Sequence, residues 1–344
     1  MGSEDGDISD YNNSHRAFLQ VFLARSVMTF EEAQPILANI LSVHDRPTHI
    51  NDVDLPLFRS YIHTINAALS RLDYEIRHTI HQTDNSRRAV YALVNTTSDP
   101  QTQLATSLSA DEVAFVKRVL DAMFDTHGGG HAGGREVFAV KEMEAIQLAK
   151  VPRGSNAARD SGVGMSNDGR NGETQQLPIV VGGSAAPITM QRAQEVLDQM
   201  VESGFFERSD AGYYSLGTRG LMELRAWLQE TYDEPAQEGD TPEEVERGKR
   251  IRFCEACRDV ATVGQRCANQ ECGFRLHDFC VQKFFHGRRE KKCPKCNTEW
   301  TDKSFVGERA ARGYAESRRR SGAGGRRSNA TSRRTTNVGD EDSE

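Results

Sequence analysis

Apolar residues recur at intervals of three and four along the first hundred residues, which is the spacing of one buried helix face. The motif Thr29-Phe30-Glu31-Glu32 is a capping box and predicts that a helix begins there, because Thr29 and Glu32 can each bond the other's backbone N–H. The predicted elements are helices over 14–25, from 29 onward and over 55–71, and strands over 74–80 and 89–94. Three helices followed by a β-hairpin predict a winged-helix domain over residues 14–97.

The pattern returns less regularly over residues 105–232 and predicts a second winged-helix domain. The predicted elements are a helix capped by Ser109 and Glu112, a helical segment over 138–149, a helix with its apolar face at Ala193, Val196, Leu197 and Met200 that is closed by Gly204, a hairpin from Phe205 to Leu216 and a final helix over 218–232. Gly, Ser, Asn and Pro are frequent in residues 151–186, which are therefore predicted to form a flexible insertion in this domain.

All seven cysteines fall between residues 254 and 296, and one histidine of that segment fits the same pattern of spacing. Structural zinc sites take four thiolate or imidazole ligands, so eight ligands make two sites. The alternatives are a disulfide framework and one or two separate zinc ribbons, each with ligands consecutive in sequence. An odd number of cysteines and a histidine fit no disulfide scheme. We favour a cross-brace. It assigns Cys254, Cys257, His277 and Cys280 to the first zinc ion and Cys267, Cys272, Cys293 and Cys296 to the second.

Because every candidate ligand lies in one short segment, a separate zinc domain is predicted over residues 250–300. Much of its folding free energy would come from metal binding. The winged helices share no ligand with it, so loss of zinc is expected to unfold the zinc domain and leave them intact.

Composition adds limits on the function. The chain has 43 Lys and Arg against 50 Asp and Glu, a formal net charge of −7, which excludes a uniformly basic nucleic-acid-binding protein. No apolar run approaches the roughly 18 to 20 residues that cross a bilayer, and the N-terminus is acidic where a secretory signal would be basic and then apolar. An intracellular protein without membrane contact is expected. The mean hydropathy of −0.62 indicates solvated segments, predicted as disordered residues 1–13 and 301–344 and an acidic linker over 233–249.

The predicted tail is locally basic. Residues 303–334 carry ten Lys and Arg against Glu308 and Glu316, with too few apolar residues to form a core. Non-specific DNA contact by Arg318-Arg319-Arg320 and neighbouring arginines is one interpretation, and a solvated tail or nuclear-import signal is the other.

The order of the zinc ligands resembles both PHD fingers and RING domains. A PHD finger usually has Trp two residues before its seventh ligand, and this chain has Lys291 there. Cys293-Pro294-Lys295-Cys296 and the aromatic Phe284, four residues after Cys280, resemble instead the last knuckle and central helix of RING ubiquitin ligases. The RING resemblance is the stronger one.

A RING implies ubiquitin transfer without covalent chemistry by the protein, since it holds the charged conjugating enzyme and favours attack by a substrate lysine. The resemblance implies that Glu255, Phe284, Pro294 and Asn297 are the candidate contacts for that enzyme. Ligase RINGs usually have an aliphatic residue at the position of Glu255 and a basic one at that of Asn297. Weak activity without a partner is therefore expected.

The predicted third helix offers few cations for DNA reading, only Arg59 and Arg71, so protein docking is the favoured use of the winged helices. Tandem winged helices followed by a variant RING resemble the first non-SMC element family of the Smc five–six genome-maintenance complex. The opening His15-Arg16-Ala17-Phe18-Leu19-Gln20 and the segment 216–224 support the resemblance, which spans residues 14–300. It implies a nuclear, chromatin-associated DNA-repair subunit that binds a MAGE-family subunit in a subcomplex with a kleisin, and a RING-type ubiquitin ligase that the MAGE partner enhances.

The fold class predicted is thus α+β, with tandem winged helices, a small two-zinc cross-brace domain and a disordered tail. Two other functions stay open from the sequence. One is a non-catalytic subunit whose zinc domain holds an assembly together, and the other is a PHD-like chromatin reader.

Overall fold

The computed structural model describes residues 11–44, 47–83, 87–96, 108–128, 135–150, 186–241, 244–245, 248–288 and 290–311. The predicted disordered start up to residue 10, most of the insertion over 151–186 and the tail from residue 312 lie outside these residues, as does the turn at 84–86. No helix among the described residues is long and apolar enough to cross a membrane.

The first domain contains the three predicted helices and the predicted hairpin. Its elements are α1 (Asn13–Arg25), β1 (Val27–Thr29), α2 (Phe30–His44), α3 (Leu55–Leu69), β2 (Tyr74–Ile80) and β3 (Ala89–Asn95). The capping box is confirmed, since Thr29 N–H donates to Glu32 at 2.7 Å and Glu32 N–H donates to the Thr29 hydroxyl at 3.3 Å. The strand β1 was not predicted, because three residues are too few to display an alternation; it completes the antiparallel order β1-β3-β2.

The helix α1 begins earlier than the predicted disorder over 1–13 allows. Asn12 caps it by accepting the backbone N–H of Ser14 at 2.9 Å. Phe18 and Phe22 of α1 pack with Phe58 of α3 in the buried core of the domain.

The second domain follows the predicted order with two corrections. Its elements are α4 (Ala110–Asp121), a π-helical turn (Ala122–Thr126), β4 (Ala139–Lys141), α5 (Glu142–Gln147), α6 (Met190–Glu202), β5 (Phe206–Arg208), β6 (Tyr213–Leu216), α7 (Thr218–Glu223) and α8 (Arg225–Tyr232). Residues 138–149 are not one helix, because Ala139–Lys141 pairs with β6 as the third strand of the sheet β4-β6-β5. The final helix is broken at Leu224 into α7 and α8.

The described residues on either side of the predicted insertion lie next to each other, since Ile188 N–H donates to the Ala149 carbonyl at 3.2 Å.

The zinc domain contains a small sheet and one helix. The elements are β7 (Gly264–Arg266), β8 (Arg275–Leu276), α9 (Asp278–Phe285) and β9 (Phe305–Val306), with sheet order β8-β7-β9. The predicted disorder from residue 301 is therefore wrong at its start. Residues 305–306 form a strand, and Val306 is buried in the core of the second domain.

The zinc domain packs against both winged-helix domains. Ile251, Val260 and Val306 join the hydrophobic core of the second winged helix. The predicted linker over 233–249 also folds back, because Asp233 accepts the backbone N–H groups of Arg250 and Ile251, each at 2.7 Å. This shared core argues against the expectation that loss of zinc leaves both winged helices intact.

The wing of the first domain, between β2 and β3, lies against the zinc domain. The Gln82 side chain donates to the Val260 carbonyl at 2.6 Å and accepts the N–H groups of Thr262 and Val263 at 3.2 and 3.1 Å. Thr79 donates to Asp259 at 3.2 Å. The wing thus serves as an internal contact between domains.

Candidate metal centre

The first group of donors comes from a knuckle and from the residues around the start of α9. Cys254 and Cys257 lie on a tight turn in which Arg258 N–H donates to the Cys254 carbonyl at 2.8 Å. Arg258 has a φ of 67°, so the turn closes through a left-handed residue. Cys257 Sγ lies 3.2 Å from His277 Nδ1, and Cys280 on α9 completes the group.

The imidazole of His277 is oriented by its second nitrogen. Its Nε2 lies 3.1 Å from the Val260 carbonyl, and the ring stacks on Phe279 with a centroid distance of 5.0 Å. A proton on Nε2 donated to that carbonyl leaves Nδ1 free to bind a metal. The residue is buried, so the ring is fixed in this orientation.

The second group repeats the knuckle. Cys293 and Cys296 flank a turn closed by Asn297, whose N–H donates to the Cys293 carbonyl at 2.8 Å and whose φ is 56°. Cys267 Sγ lies 3.4 Å from Cys296 Sγ, and Cys272 Sγ lies 3.7 Å from Cys293 Sγ.

Both groups fit a tetrahedral metal with thiolate and imidazole ligands. In each group the four donor atoms lie within 4.8 Å of one another, and a tetrahedron with Zn–S bonds of about 2.3 Å has edges of about 3.8 Å. The structure brings the eight residues together in the interleaved order of the cross-brace, not as consecutive ribbons. With four protein donors in each group, no position is left for a water molecule, so these are sites for structural metal ions.

The pKa values reflect the crowding of the donors. Hydrogen bonds with Cys257 and Cys280 lower the pKa of Cys254, whereas hydrogen bonds with Cys254 and Cys257 raise the pKa of Cys280. Burial raises the pKa of Cys272 to about 11. Burial alone would lower the pKa of His277, but its hydrogen bonds with Cys254 and Cys257 raise it to about 10. A divalent cation at the centre favours thiolate at every cysteine and neutral imidazole at His277, so metal binding releases protons.

The four candidate contacts for a conjugating enzyme lie on three elements around these groups. Glu255 follows the first ligand and pairs with Arg258 at 2.5 Å. Phe284 on α9 is half-buried, packs edge-on against Phe274, and has the Arg288 guanidinium 4.4 Å from its ring centroid. Both Pro294 and Asn297 are exposed on the second knuckle.

Sequence reasoning missed the residues that attach this centre to the second domain. Arg275 is 2% exposed, and its Nε donates to Glu136 Oε2 at 2.6 Å while its Nη2 contacts Oε1 of the same carboxylate. Its Nη1 donates to the Cys272 and Phe274 carbonyls at 2.6 and 2.9 Å. A charged residue between two apolar neighbours in a ligand-rich segment was the available signal, although it does not identify Glu136.

Comparison with known proteins finds matches to two parts of the chain. A family model described as the Nse1 non-SMC component of the SMC5-6 complex matches residues 15–224, and a RING-like domain model matches residues 254–296. The chain belongs to the Nse1 family. The resemblance drawn from the sequence is therefore confirmed, as is the mixed α+β fold with a C-terminal RING-like domain.

Individual relatives agree with the Nse1 assignment along most of the chain. The human protein named non-structural maintenance of chromosomes element 1 homolog is 22% identical over 286 residues, which cover 83% of each chain. The Drosophila melanogaster homolog is 23% identical and is covered over 94% of its length. A solved structure named Nse1-Nse3-Nse4 complex contains a chain of the same fold, with a TM-score of 0.58 and 20% identity over 84% of this chain and 97% of that one.

Proposed function

We propose that this Nse1-family chain is the RING-type ubiquitin-ligase subunit of a nuclear SMC5-6 complex that acts in DNA repair. The observation that carries the proposal is the interleaved pair of four-donor groups within a RING-like domain. When bound, two zinc ions supply rigid cross-links and no reactive water. The chain would then act by positioning a charged conjugating enzyme, with Phe284 and Pro294 as apolar contacts beside the two knuckles.

The proposed partners are a MAGE-family subunit and a kleisin. The solved structure with the same fold is named as a complex of Nse1 with Nse3 and Nse4, and this similarity supports the same assembly here. The apolar side of α3, including Phe58, Ile62 and Ile65, is buried in the first domain, and the adjacent wing packs on the zinc domain. The buried side of α3 is therefore not available for reading a duplex.

A MAGE-type partner on the winged helices could act on the zinc domain through these contacts. Gln82 and Glu136 join both winged helices to the segments that carry the zinc ligands. A partner that restrains this assembly would lower the cost of ordering the conjugating enzyme on the RING. A few kcal/mol of coupling changes a rate roughly a hundredfold.

A non-catalytic assembly role is the second candidate, and one observation favours it. Glu255 places a carboxylate, paired with Arg258, where an aliphatic contact is expected in an active RING. Under this alternative the zinc domain binds metal and holds the subunits together without stimulating any conjugating enzyme. A PHD-like reader is disfavoured by Lys291, which stands where a PHD finger has Trp.

The deciding experiment is discharge of ubiquitin from a panel of charged conjugating enzymes, with and without the MAGE-type and kleisin subunits. We expect weak discharge by the chain alone, stimulation by the partners, a loss of activity in Phe284→Ala and a gain in partner-free activity in Glu255→Ile. Glu271→Ile is the matched control, because Glu271 is also a glutamate directly next to a candidate zinc ligand. If no enzyme responds in either condition while both metals stay bound, the assembly role replaces the ligase.

A further inference from the structure

Charge is distributed unevenly along the chain. Residues 1–249 contain 22 Lys and Arg against 37 Asp and Glu, whereas residues 250–311 contain 13 against 8. The excess of the zinc domain is concentrated between Cys280 and Cys296, where six Lys and Arg stand against Glu290 alone. A strongly basic segment therefore lies on an otherwise acidic protein.

This segment is folded into a compact surface. Arg288 N–H donates to the Phe285 carbonyl at 3.2 Å, Trp300 N–H donates to the Lys291 carbonyl at 2.9 Å, and Lys292 forms a β-bridge with Glu299. The cations that we call the basic face are exposed residues of the described structure. They are Lys283, Arg288, Lys291, Lys292 and Lys295.

Two cations of the basic face pair with exposed carboxylates. In the part of the chain that the structure describes, Lys291 pairs with Asp302 at 3.2 Å and Lys292 with Glu290 at 2.7 Å, and the four side chains are 45% to 68% exposed. Such exposed pairs are weak and can exchange one anion for another. Within the same described residues, Lys283 makes no ion pair, and the Arg288 guanidinium lies over the Phe284 ring instead of on a carboxylate.

The helix dipole of α9 does not explain why these cations lie together. Lys283 and Arg288 lie near the negative C-terminal end of α9, where cations are favoured, but Lys291, Lys292 and Lys295 follow in the next loop. The basic face also borders an open groove of about 800 Å³. Its charged lining residues are Arg87 of the wing, Lys291 and Arg309 of the zinc domain, and the carboxylates Asp302 and Asp278 that pair with these two. Arg87 thus adds a cation of the first domain beside the basic face, which suits an extended polyanion.

We propose that the basic face of the zinc domain binds the phosphate backbone of duplex DNA, without reading its sequence. Lys and Arg that neutralise phosphates release counterions, which gives affinity at low salt and a steep dependence on salt. The inference is independent of ligase activity. It also differs from DNA contact by the tail, since every residue of the basic face lies before residue 296.

The test is fluorescence anisotropy of a 30-base-pair duplex with the full chain over a series of salt concentrations. Lys283→Glu combined with Arg288→Glu should weaken binding at least about tenfold and reduce the log–log salt slope by about 2. Arg59→Glu combined with Arg71→Glu is the matched control, because it makes the same change in net charge on exposed residues of the first domain and should leave affinity within about twofold. Chains ending at Ala311 repeat the comparison without the basic tail.

Metal content and thermal unfolding of each variant show that it is folded, and the milder Lys283→Gln with Arg288→Gln gives an intermediate loss. Equal losses in the two charge-reversed variants would assign binding to overall charge and overturn the proposal. Unchanged DNA binding would also overturn it. If, in addition, only discharge of a conjugating enzyme fell in the Lys283 and Arg288 variant, the basic face would be a docking surface for an acidic protein.

Discussion

Arg275 is buried in the zinc domain although arginine is a cationic residue. Glu136 supplies the compensating carboxylate, and the Cys272 and Phe274 carbonyls accept hydrogen bonds from Nη1 of the guanidinium. Because β8 also forms a bridge with Cys254, this one residue contacts segments that carry ligands of both metal groups. Its environment is therefore set by the second domain and by the zinc domain together.

Removing the carboxylate should be costly. Glu136→Ala leaves Arg275 buried without its counter-charge, and we expect the free energy of unfolding to fall by about 3 to 5 kcal/mol. Glu75→Ala, which breaks the exposed pair with Arg77, should cost less than about 1 kcal/mol. Urea denaturation of both variants measures the difference. A similarly small loss of unfolding free energy in both variants would mean that the buried pair does not hold the domains together.

Spacing identified the paired ligands of each knuckle, because thiolates separated by two residues can reach one ion from a single turn, and the order of the pairs favoured the interleaved groups. Arg275 and Glu136 could not be paired from the sequence, since 139 residues separate them and neither belongs to a periodic pattern. The left-handed φ of Asn297 is a similar case. Asn tolerates this conformation better than most residues, which gives the position a backbone role that the comparison with ligase RINGs did not include.

Among the elements, the wing of the first domain departs most from its expected use. Its strands were predicted correctly. The contact of Gln82 with residues 260–263 could not be predicted, because it depends on the packing of two domains and not on the local pattern of apolar residues. Short elements were missed for a different reason. Strands of two or three residues, such as β1 and β9, are fixed by their partners and not by their own pattern.

The wing contact predicts a local change in amide exchange. Gln82→Ala removes the acceptor for the Thr262 and Val263 N–H groups, and a lost hydrogen bond of about 1 kcal/mol should speed their exchange about fivefold. Thr83→Ala is the control, because the bond that the Thr83 hydroxyl makes among the described residues stays within the wing, to His81 at 3.0 Å. Hydrogen exchange followed by NMR reports both amides. Equal protection in wild type and Gln82→Ala would contradict the docking of the wing.

At the scale of the whole molecule, the domains are coupled through the core that Ile251, Val260 and Val306 share with the second winged helix. The zinc domain supplies these side chains, so its metal-dependent folding contributes to the stability of that winged helix. The first winged helix keeps a separate hydrophobic core and meets the zinc domain through polar contacts. The domain boundaries drawn from the sequence remain predictions. The shared core, however, argues against winged helices that are both independent of the zinc domain.

Loss of one zinc ligand should therefore destabilise the second domain as well as the zinc domain, but not the first domain. Cys254→Ala should unfold residues 250–300 and increase hydrogen exchange in α4 and α6 of the second domain, while the core of the first domain stays protected. Hydrogen exchange with mass spectrometry resolves these regions, and Cys254→Ser gives a second variant of the same ligand. Unchanged exchange in α4 and α6 would restore the expectation of independent winged helices.

Native mass spectrometry of the full chain tests the metal centre most directly, because it counts the ions bound to the folded protein. Two interleaved sites predict a mass increase of two Zn²⁺ with all seven cysteines free of disulfides, and removal of both ions by a chelator with unfolding of the zinc domain. A folded chain carrying one zinc ion, no zinc ion, or disulfides in place of the metal would contradict the two-zinc centre.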